Sequence, residues 1–350
     1  MEFTAGGRLE VRIDPSDVGK RVSVRRLSDP GALPEKFTDT VGVLTSWTEG
    51  VLLITRRTGE TVRIAESSLV AGKVVPAAPA RRRGPSAGFE ELTRVAARAW
   101  QPVESEPLGE WTLRAAAEEV PRGAGLAGAA GRRKGFTRRA NSVLPLGDPG
   151  MPLDDALARA RAWYEERGLP PYVQVATGAE GTQERLCAAL EERGWRREVT
   201  AEVRTGGLAA IGDLEAGDVR LSRSVDEAWL RRYNRSDAPG PHVLHVLNSG
   251  PSVWFASVPG DGGVPAAIGR CAVDGRWAGF MAVEVDPAYR RQGLGTAVMA
   301  ALARRALEEG ASAAWLQVEP DSEGALALYE GMGFAVHHLY HHFRSPEAGT

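Results

Sequence analysis

The segment VEVDPAYRRQGLGTAV, at residues 283–298, carries the signal that decides the fold. Its first residues are typical of the end of an apolar strand, and its last residues are typical of the start of an apolar helix. Between them, two glycines let the backbone close around a ligand, and two arginines stand beside the helix N-terminus, where unpaired N–H groups point outward. Such a turn is suited to hold an anion, and a pyrophosphate fits it.

Two familiar glycine motifs do not describe this turn. A P-loop ends in Gly-Lys-Ser or Gly-Lys-Thr, and that ending is missing here. The dinucleotide-binding fingerprint needs a third glycine, and this chain has Val298 at that place. For the six residues at 290–295 alone, two alternatives therefore stay open: a pyrophosphate site, or a solvated turn that only begins a helix.

The turn resembles the signature of the GNAT superfamily of acetyl-CoA-dependent N-acetyltransferases, which reads Arg/Gln-x-x-Gly-x-Gly/Ala after a strand. Downstream, members show an asparagine, an alanine three residues later, then Leu-Tyr and Gly-Phe. This chain has Ala325, Leu328-Tyr329 and Gly333-Phe334 at the matching spacing. Ser322 stands at the asparagine position and departs from the pattern, although its hydroxyl can still donate and accept a hydrogen bond.

The resemblance implies roles for individual residues. The backbone at Val283 and Val285 would pair with the pantetheine arm of acetyl-CoA and would polarise the thioester carbonyl. Tyr329 would protonate the departing thiolate, because a phenol keeps its proton at neutral pH; the alternative for this residue is a core aromatic at a sheet edge. The other contacts to the co-substrate would come from Arg290, Arg291, Gln292, Gly293, Leu294, Gly295, Thr296 and Ser322.

Glu284 is the candidate general base. It interrupts an apolar strand, and the two-residue period of a strand puts its side chain on the face opposite Val283 and Val285. There it could accept a proton from an ammonium substrate or anchor the amine. The alternative is a solvated or structurally paired carboxylate, with water as the proton carrier.

The length of 350 residues predicts two or three domains. Short β-branched runs divided by turns predict a small all-β barrel over 1–77, and a proline, alanine and arginine-rich linker follows over 78–88. Two mixed α and β units then cover 89–207 and 208–350. Within the first of them, FTRRANSVL at 136–144 is interpreted as a strand.

The two mixed units end alike. LCAALEERGW at 186–195 and ALALYEGMGF at 325–334 share an apolar helix, a glycine stop and an aromatic residue that opens a strand. Leu190 stands where the second unit has Tyr329, and the first unit has no counterpart of the arginine and glycine turn. We therefore predict an α+β chain with a degenerate first GNAT-like unit and an intact, catalytic second one. With a barrel of the Src-homology-three type in front, the arrangement resembles multidomain bacterial GNAT proteins.

Composition excludes several classes of protein. A hydrophobic content of 43% and a charged content of 25%, without a long apolar run, describe a soluble globular chain with no membrane partner. The N-terminus lacks the basic and apolar segments of a signal peptide. Because Cys187 and Cys271 lie far apart in the sequence, no disulfide framework is predicted, and a cytoplasmic location is expected. The net charge of -2 gives no general attraction to nucleic acid. We interpret the basic runs at 81–83 and 131–139 as solvated; the alternative is a patch that recognises nucleic acid or protein.

All six histidines fall in two clusters, HVLH at 242–245 and HHLYHH at 337–342. On a strand, neighbouring residues alternate between the two faces, so no three ligands of the second cluster converge and no metal is predicted. The HVLH pair would lie at i and i+3 on a helix. It could line the amine pocket, or it could be a satisfied structural pair.

The sequence therefore predicts an N-acetyltransferase that transfers an acetyl group from acetyl-CoA to a primary amine by direct attack in a ternary complex. The acceptor is a small molecule or a protein that no motif identifies, because amine specificity lies in variable loops. The alternative is a non-catalytic acyl-CoA-binding sensor or adaptor, and the intact Tyr329 favours catalysis. The oligomeric state is left open.

Overall fold

The computed structural model describes residues 10–27, 37–75, 85–118, 135–233 and 239–346. The strands are β1 (Arg21–Leu27), β2 (Phe37–Thr48), β3 (Val51–Thr55), β4 (Thr61–Ala65), β5 (Leu69–Val74), β6 (Glu104–Leu108), β7 (Trp111–Ala115), β8 (Tyr172–Thr177), β9 (Arg196–Gly207), β10 (Arg220–Ser222), β11 (Ser252–Val258), β12 (Ala267–Asp274), β13 (Trp277–Val285), β14 (Ala313–Val318) and β15 (Ala335–Arg344). The helices are α1 (Phe89–Arg98), α2 (Leu153–Glu166), α3 (Glu184–Glu192), α4 (Ala209–Gly212), α5 (Glu227–Arg232), α6 (Pro241–Asn248), α7 (Leu294–Glu308) and α8 (Glu323–Gly331). The arginine run at 81–83 and the first part of the run at 131–139 lie outside the described residues.

The first of two compact units contains the residues up to 80 together with 176–194. Its strands form a five-stranded antiparallel sheet in the order β4-β3-β2-β1-β5, so the prediction of an all-β domain at this end is confirmed. Alternating apolar side chains build its core, which contains Ile13, Val22, Val24, Leu44, Leu52, Ile54 and Ile64. Helix α3 belongs to the same unit, where the Cys187 thiol lies 3.6 Å from the Gly59 carbonyl oxygen.

The second unit contains residues 81–175 and 195–350 and is built on an eight-stranded sheet. The strand order is β10-β11-β12-β13-β14-β9-β15-β8, and β13 and β14 run parallel. Helix α7 packs on one face of this sheet, where its buried residues join those of β12, β13 and β14 in one core. The α+β class predicted from the sequence is therefore confirmed.

Four strands at one end of the eight-stranded sheet, in the order β14-β9-β15-β8, repeat a local order. β9 pairs antiparallel with β15, β14 lies on the outer side of β9, and β8 lies on the outer side of β15. Each central strand follows a helix, a glycine and a buried aromatic residue: Gly194 and Trp195 before β9, Gly333 and Phe334 before β15. Both glycines have positive φ, +75° and +84°, which is why each helix stops there.

The segment at 136–144 does not form the strand that the sequence predicted. Instead it contains a 3-10 turn at Arg138–Ala140 and only isolated bridges beyond. The cause is the buried side chain of Asn141, which accepts a hydrogen bond from the Ala116 N–H at 2.8 Å and donates to the Phe136 carbonyl at 2.7 Å. A buried amide that binds the backbone in this way closes the segment into a turn.

Candidate active site

Strand β13 leaves its parallel partner halfway along its length. The ladder with β14 ends at the pair Phe280 and Leu316, although β13 continues to Val285 and β14 to Val318. Beyond that pair, the two strands present main-chain groups to the gap between them instead of to each other. The end of β13 is therefore splayed from β14.

The strands part at a β-bulge in β13. Ala282 has a φ of +51°, which is unusual for a residue with a side chain. The register with β12 shifts at the same place, since Met281 lies opposite Arg270 and Glu284 lies opposite Ile268. A bulge bends the strand that carries it, and here it directs the end of β13 away from β14.

The RRQGLG turn connects β13 to α7 through two residues in left-handed conformation, Arg291 with a φ of +64° and Gly293 with a φ of +79°. Gly293 is the N-cap residue of α7, and no side chain caps this helix end. The first N–H groups of a helix have no partner within the helix. The turn thus keeps main-chain donors, beside the exposed Arg290 and Arg291, for a group that comes from outside.

Gly295 packs closely at the start of α7, and Asp286 binds the backbone just before the turn. A Cβ added at Gly295 would lie 3.2 Å from Leu328 of α8 and 3.7 Å from Val285 of β13, so glycine permits the close approach of these three elements. Before the turn, the Asp286 carboxylate accepts a hydrogen bond from the Ala288 N–H at 2.8 Å. This bond, and a smaller contribution from Arg232, holds the pKa of Asp286 below its usual value.

Tyr329 lies on α8 at the parted ends of β13 and β14. It is 8% exposed and belongs to the core against which Val283, Val285 and Leu294 pack. Its ring meets that of Phe334 edge-on, with 6.0 Å between the ring centroids. The structure therefore brings together Tyr329, the bulged strand and the start of α7.

Ser322 and Glu284 complete the set of candidate residues. Ser322 is the N-cap residue of α8, but its side chain makes no capping hydrogen bond. Glu284 is half-buried and lies opposite Ile268, which is two residues from Arg270 on β12, so Glu284 and Arg270 share one face of the sheet. Val283 and Val285 pack on the other face, against the α7 core. This is the arrangement of faces that strand periodicity predicted.

Residues 87–343 match the family described as "Probable histone acetyltransferase Rv0428c C-terminal", and residues 16–73 match the family described as "Rv0428c N-terminal Sm-like domain". The chain is a GNAT acetyltransferase. The N-terminal all-β domain of the acetyltransferase is thus Sm-like, and the Src-homology-three type expected from the sequence is not borne out.

Relatives of this acetyltransferase carry the same activity in their names. It is 27% identical over 326 residues to "Probable histone acetyltransferase Rv0428c" of Mycobacterium tuberculosis, covering 92% of this chain and 93% of the relative. It is 24% identical to "Uncharacterized N-acetyltransferase YobR" of Bacillus subtilis, covering 73% and 98%. A GCN5-related N-acetyltransferase structure from Kribbella flavida, 18% identical, has the same fold, with a TM-score of 0.51 over 75% of this chain and 98% of that one. The chain is therefore an acyltransferase.

Sequence reasoning missed a buried arginine on the Glu284 face of the acetyltransferase. Arg270 donates hydrogen bonds to the carbonyl oxygens of Leu247 at 2.6 Å and Ala99 at 3.0 Å, and its pKa falls to about 10 because it is buried. The signal was present in the sequence, since Arg270 interrupts the apolar strand AAIGRCAV at 266–273. Such a residue needs buried acceptors, and α6 and the end of α1 supply them.

The histidines occupy two different environments. His245 is exposed on α6, with its Nε2 3.1 Å from the Pro102 carbonyl oxygen. On β15, burial lowers the pKa of His338 and His341 to about 3, and it lowers the pKa of His342 well below the usual value. In the ranges that the structure describes, no three His, Cys, Asp or Glu side chains are grouped so that they could hold a metal ion. Nor does any described helix have the length and apolar character needed to cross a membrane.

Proposed function

We propose that the protein transfers an acetyl group from acetyl-CoA to a primary amine by direct attack in a ternary complex. The observation that carries this proposal is the meeting of three features: the parted ends of β13 and β14, the uncapped start of α7, and Tyr329 on α8. An open strand edge suits an extended amide-containing arm. A helix start with free N–H groups suits a pyrophosphate.

The residues present fit the co-substrate. The backbone at Val283 and Val285 would bind the pantetheine arm, and the Ser322 hydroxyl would add a hydrogen bond. The pyrophosphate would be held by side chains and main-chain N–H groups of the turn: Arg290, Arg291, Gln292, Gly293, Leu294, Gly295 and Thr296. When bound, acetyl-CoA supplies a thioester, whose acetyl group an amine can attack.

Residues of the chain would accept one proton, donate another and stabilise one developing negative charge. Glu284, directly or through water, would take the proton that the amine loses as its nitrogen bonds to the acetyl carbon. Main-chain N–H groups at the end of β13 would stabilise the negative charge on the carbonyl oxygen. Tyr329 would give its phenolic proton to the sulfur as the C–S bond breaks, and it would recover a proton from solvent.

We also propose that the chain is a tandem, with a barrel-like domain over 1–77, a linker over 78–88, a degenerate unit over 89–207 and a catalytic unit over 208–350. Support comes from the repeated order of strands around β9 and β15 and from the matching helix, glycine and aromatic sequences before them. The relative named as a probable histone acetyltransferase makes a protein amine one candidate acceptor. A small-molecule amine is the other candidate.

Release of free thiol from acetyl-CoA in the presence of a panel of amines tests the proposal. We expect release that depends on the amine. Tyr329→Phe should lower kcat on the order of a hundredfold, because general acid catalysis is lost, while the affinity for acetyl-CoA stays within a few-fold. Tyr164→Phe is the control for loss of a buried tyrosine hydroxyl, since that hydroxyl donates to the Arg114 carbonyl and has no proposed role.

Two results would oppose this function. Tight acetyl-CoA binding without thiol release for any amine would instead favour the sensor or adaptor alternative. An equal loss of binding and turnover in Tyr329→Phe would show that the residue is only a core aromatic.

A further inference from the structure

The Glu284 face of the sheet in the second unit is covered in part by α1. Glu91 of α1 accepts a hydrogen bond from Trp277 Nε1 at 2.8 Å, and the Phe89 ring meets that of His338 with centroids 5.4 Å apart. Trp100, just after this helix, lies beside β12 and has the Arg270 guanidinium 5.2 Å from its ring centroid. Side chains from β12, β13 and β15 therefore meet under α1.

Four side chains form a cluster at this place, which we call the Arg139 cluster: Trp100, Arg139, Tyr340 and His342. The Arg139 guanidinium carbon lies 5.6 Å from the Trp100 ring centroid and 5.8 Å from that of Tyr340. The Tyr340 and His342 rings meet edge-on with centroids 5.4 Å apart. The result is a guanidinium group set between aromatic walls.

The Arg139 cluster holds several buried nitrogen atoms that lack a hydrogen-bond partner among the described residues. These are Nε1 of Trp100, Nε of Arg139, and both ring nitrogens of His342. Trp100 is 4% exposed and His342 is 2% exposed. A buried polar atom without a partner costs about 1 to 3 kcal/mol, so these nitrogens are candidates to bind water or a group from outside the chain.

The charges at this place identify the kind of group that would bind. The neighbouring arginines already have partners. Arg270 donates hydrogen bonds to main-chain carbonyls, and Arg114 donates to Ser142 and Gln174. Arg138 forms an ion pair with Glu198. Arg139 has no carboxylate partner in the part of the chain that the structure describes. Burial and then Arg139 itself keep the pKa of His342 low, so that this ring is neutral. One unpaired positive charge and neutral N–H donors match a monoanion.

The Arg139 cluster lies on the side of the sheet where the amine is expected. Arg270 contacts Trp100, and Glu284 lies opposite Ile268, two residues from Arg270 on the same face of β12. Strands β13 and β15 are separated by β14 and β9, which is roughly 15 Å across the sheet. An acceptor with its amine at Glu284 must therefore be about that long to place another group in the Arg139 cluster.

We propose that the Arg139 cluster binds a carboxylate of the acceptor, so that the substrate class is a primary amine that also carries a carboxylate. Arg139 Nε–H, Trp100 Nε1–H and one His342 N–H would donate to the carboxylate oxygens, and the aromatic rings would pack against its planar group. This inference rests on the proposed acetyl transfer. A phosphate dianion carries one charge more than Arg139 balances and is the less suitable anion.

Matched pairs of amines test this proposal. Each pair is an amino acid or ω-amino acid and its carboxamide, with increasing distance between the amine and the acid group, assayed by thiol release on the full chain. We expect at least one carboxylate to have a KM at least tenfold below that of its amide. Arg139→Gln should abolish this difference by raising the KM of the acid at least tenfold, while the KM of the amide should rise much less because the amide carries no charge.

Arg138→Gln is the matched control, because this neighbouring arginine already pairs with Glu198. It should keep the preference for the acid. Thermal unfolding of both variants shows whether either has lost its fold. As a second measurement, amino alkyl phosphates in the same assay distinguish the two classes of anion.

The outcomes separate this proposal from the proposed function. No thiol release with any amine contradicts the acetyl transfer itself. Thiol release without a preference for the acid, or a preference that persists in Arg139→Gln, overturns the carboxylate site and leaves water as the partner of the buried nitrogens. A preference for amino alkyl phosphates over carboxylates would overturn the monoanion assignment.

Discussion

Gly293 shows how one residue joins conformation to binding. Its φ of +79° lies in the left-handed region, and nothing lies within 4 Å of an added Cβ, so the cost of a side chain is conformational rather than steric. A β-branched residue at this position would lower the free energy of unfolding by roughly 1 to 2 kcal/mol, or the turn would take another conformation. We predict that Gly293→Val and Arg290→Ala each weaken CoA binding at least tenfold by calorimetry, because donors and charge move away from the pyrophosphate.

The opposite end of α7 offers a matched control. Gly310 also has a positive φ, +92°, and open space around an added Cβ. Gly310→Val should therefore cost similar stability and leave CoA binding unchanged. If Gly293→Val and Arg290→Ala both bind CoA like the unaltered protein, the turn is not part of the site.

At the scale of single elements, the sequence predicted most strands and helices but not their distortions. The apolar and β-branched runs of β11 to β14 and the helix after RRQGLG were predictable, because periodicity and glycine report local conformation. The bulge at Ala282 was not, since alanine carries no signal for a positive φ and the bulge is held by the register with β12. The turn at Arg138–Ala140 was missed as well, because it depends on the hydrogen bonds of one buried asparagine.

Strand β15 should make the protein sensitive to acid. Its histidines His338 and His341 have pKa values of about 3 when folded, against 6.5 for an exposed histidine. Below pH 6.5 the unfolded chain therefore binds protons that the folded chain cannot bind. The free energy of unfolding should fall as the pH drops from about 7 towards 3, by up to roughly 1.4 kcal/mol per pH unit for each buried histidine.

Urea unfolding at pH 7.5, 6.5 and 5.5 measures this slope. His342→Phe should reduce this slope by about the contribution of one histidine, because burial also lowers the pKa of His342. The ring lies between those of Tyr172 and Tyr340, so a phenyl ring suits the position. His245→Asn, at an exposed position of α6, should leave the slope as it is. A stability that does not change over this range would contradict the burial of neutral histidines in β15.

At the scale of the whole molecule, the position of β9 could not be predicted from the sequence. We predicted that the chain after residue 208 is a catalytic unit, yet β9 lies before that residue in the chain and between β14 and β15 in the sheet. Arg204 of β9 is 5% exposed and donates to Glu330, the residue after Tyr329, at 3.1 Å. Local sequence patterns report neither of these long-range pairings, although β9 supports the helix that carries the candidate acid.

The order of strands in this sheet leads to a prediction about where the chain can be cut. A fragment of residues 208–350 lacks both β9 and β8, so β14 would have an open edge and β15 would lose both of its neighbours, which invites aggregation. We expect it to be less stable to urea than a fragment of residues 195–350, which keeps β9, and to have lower activity, because α8 loses Arg204. The full chain should bind one CoA, since the earlier half has Leu190 where α8 has Tyr329 and has no arginine and glycine turn. Equal stability and activity of the two fragments, or two tightly bound CoA per full chain, would show that the earlier half does not complete a single catalytic unit.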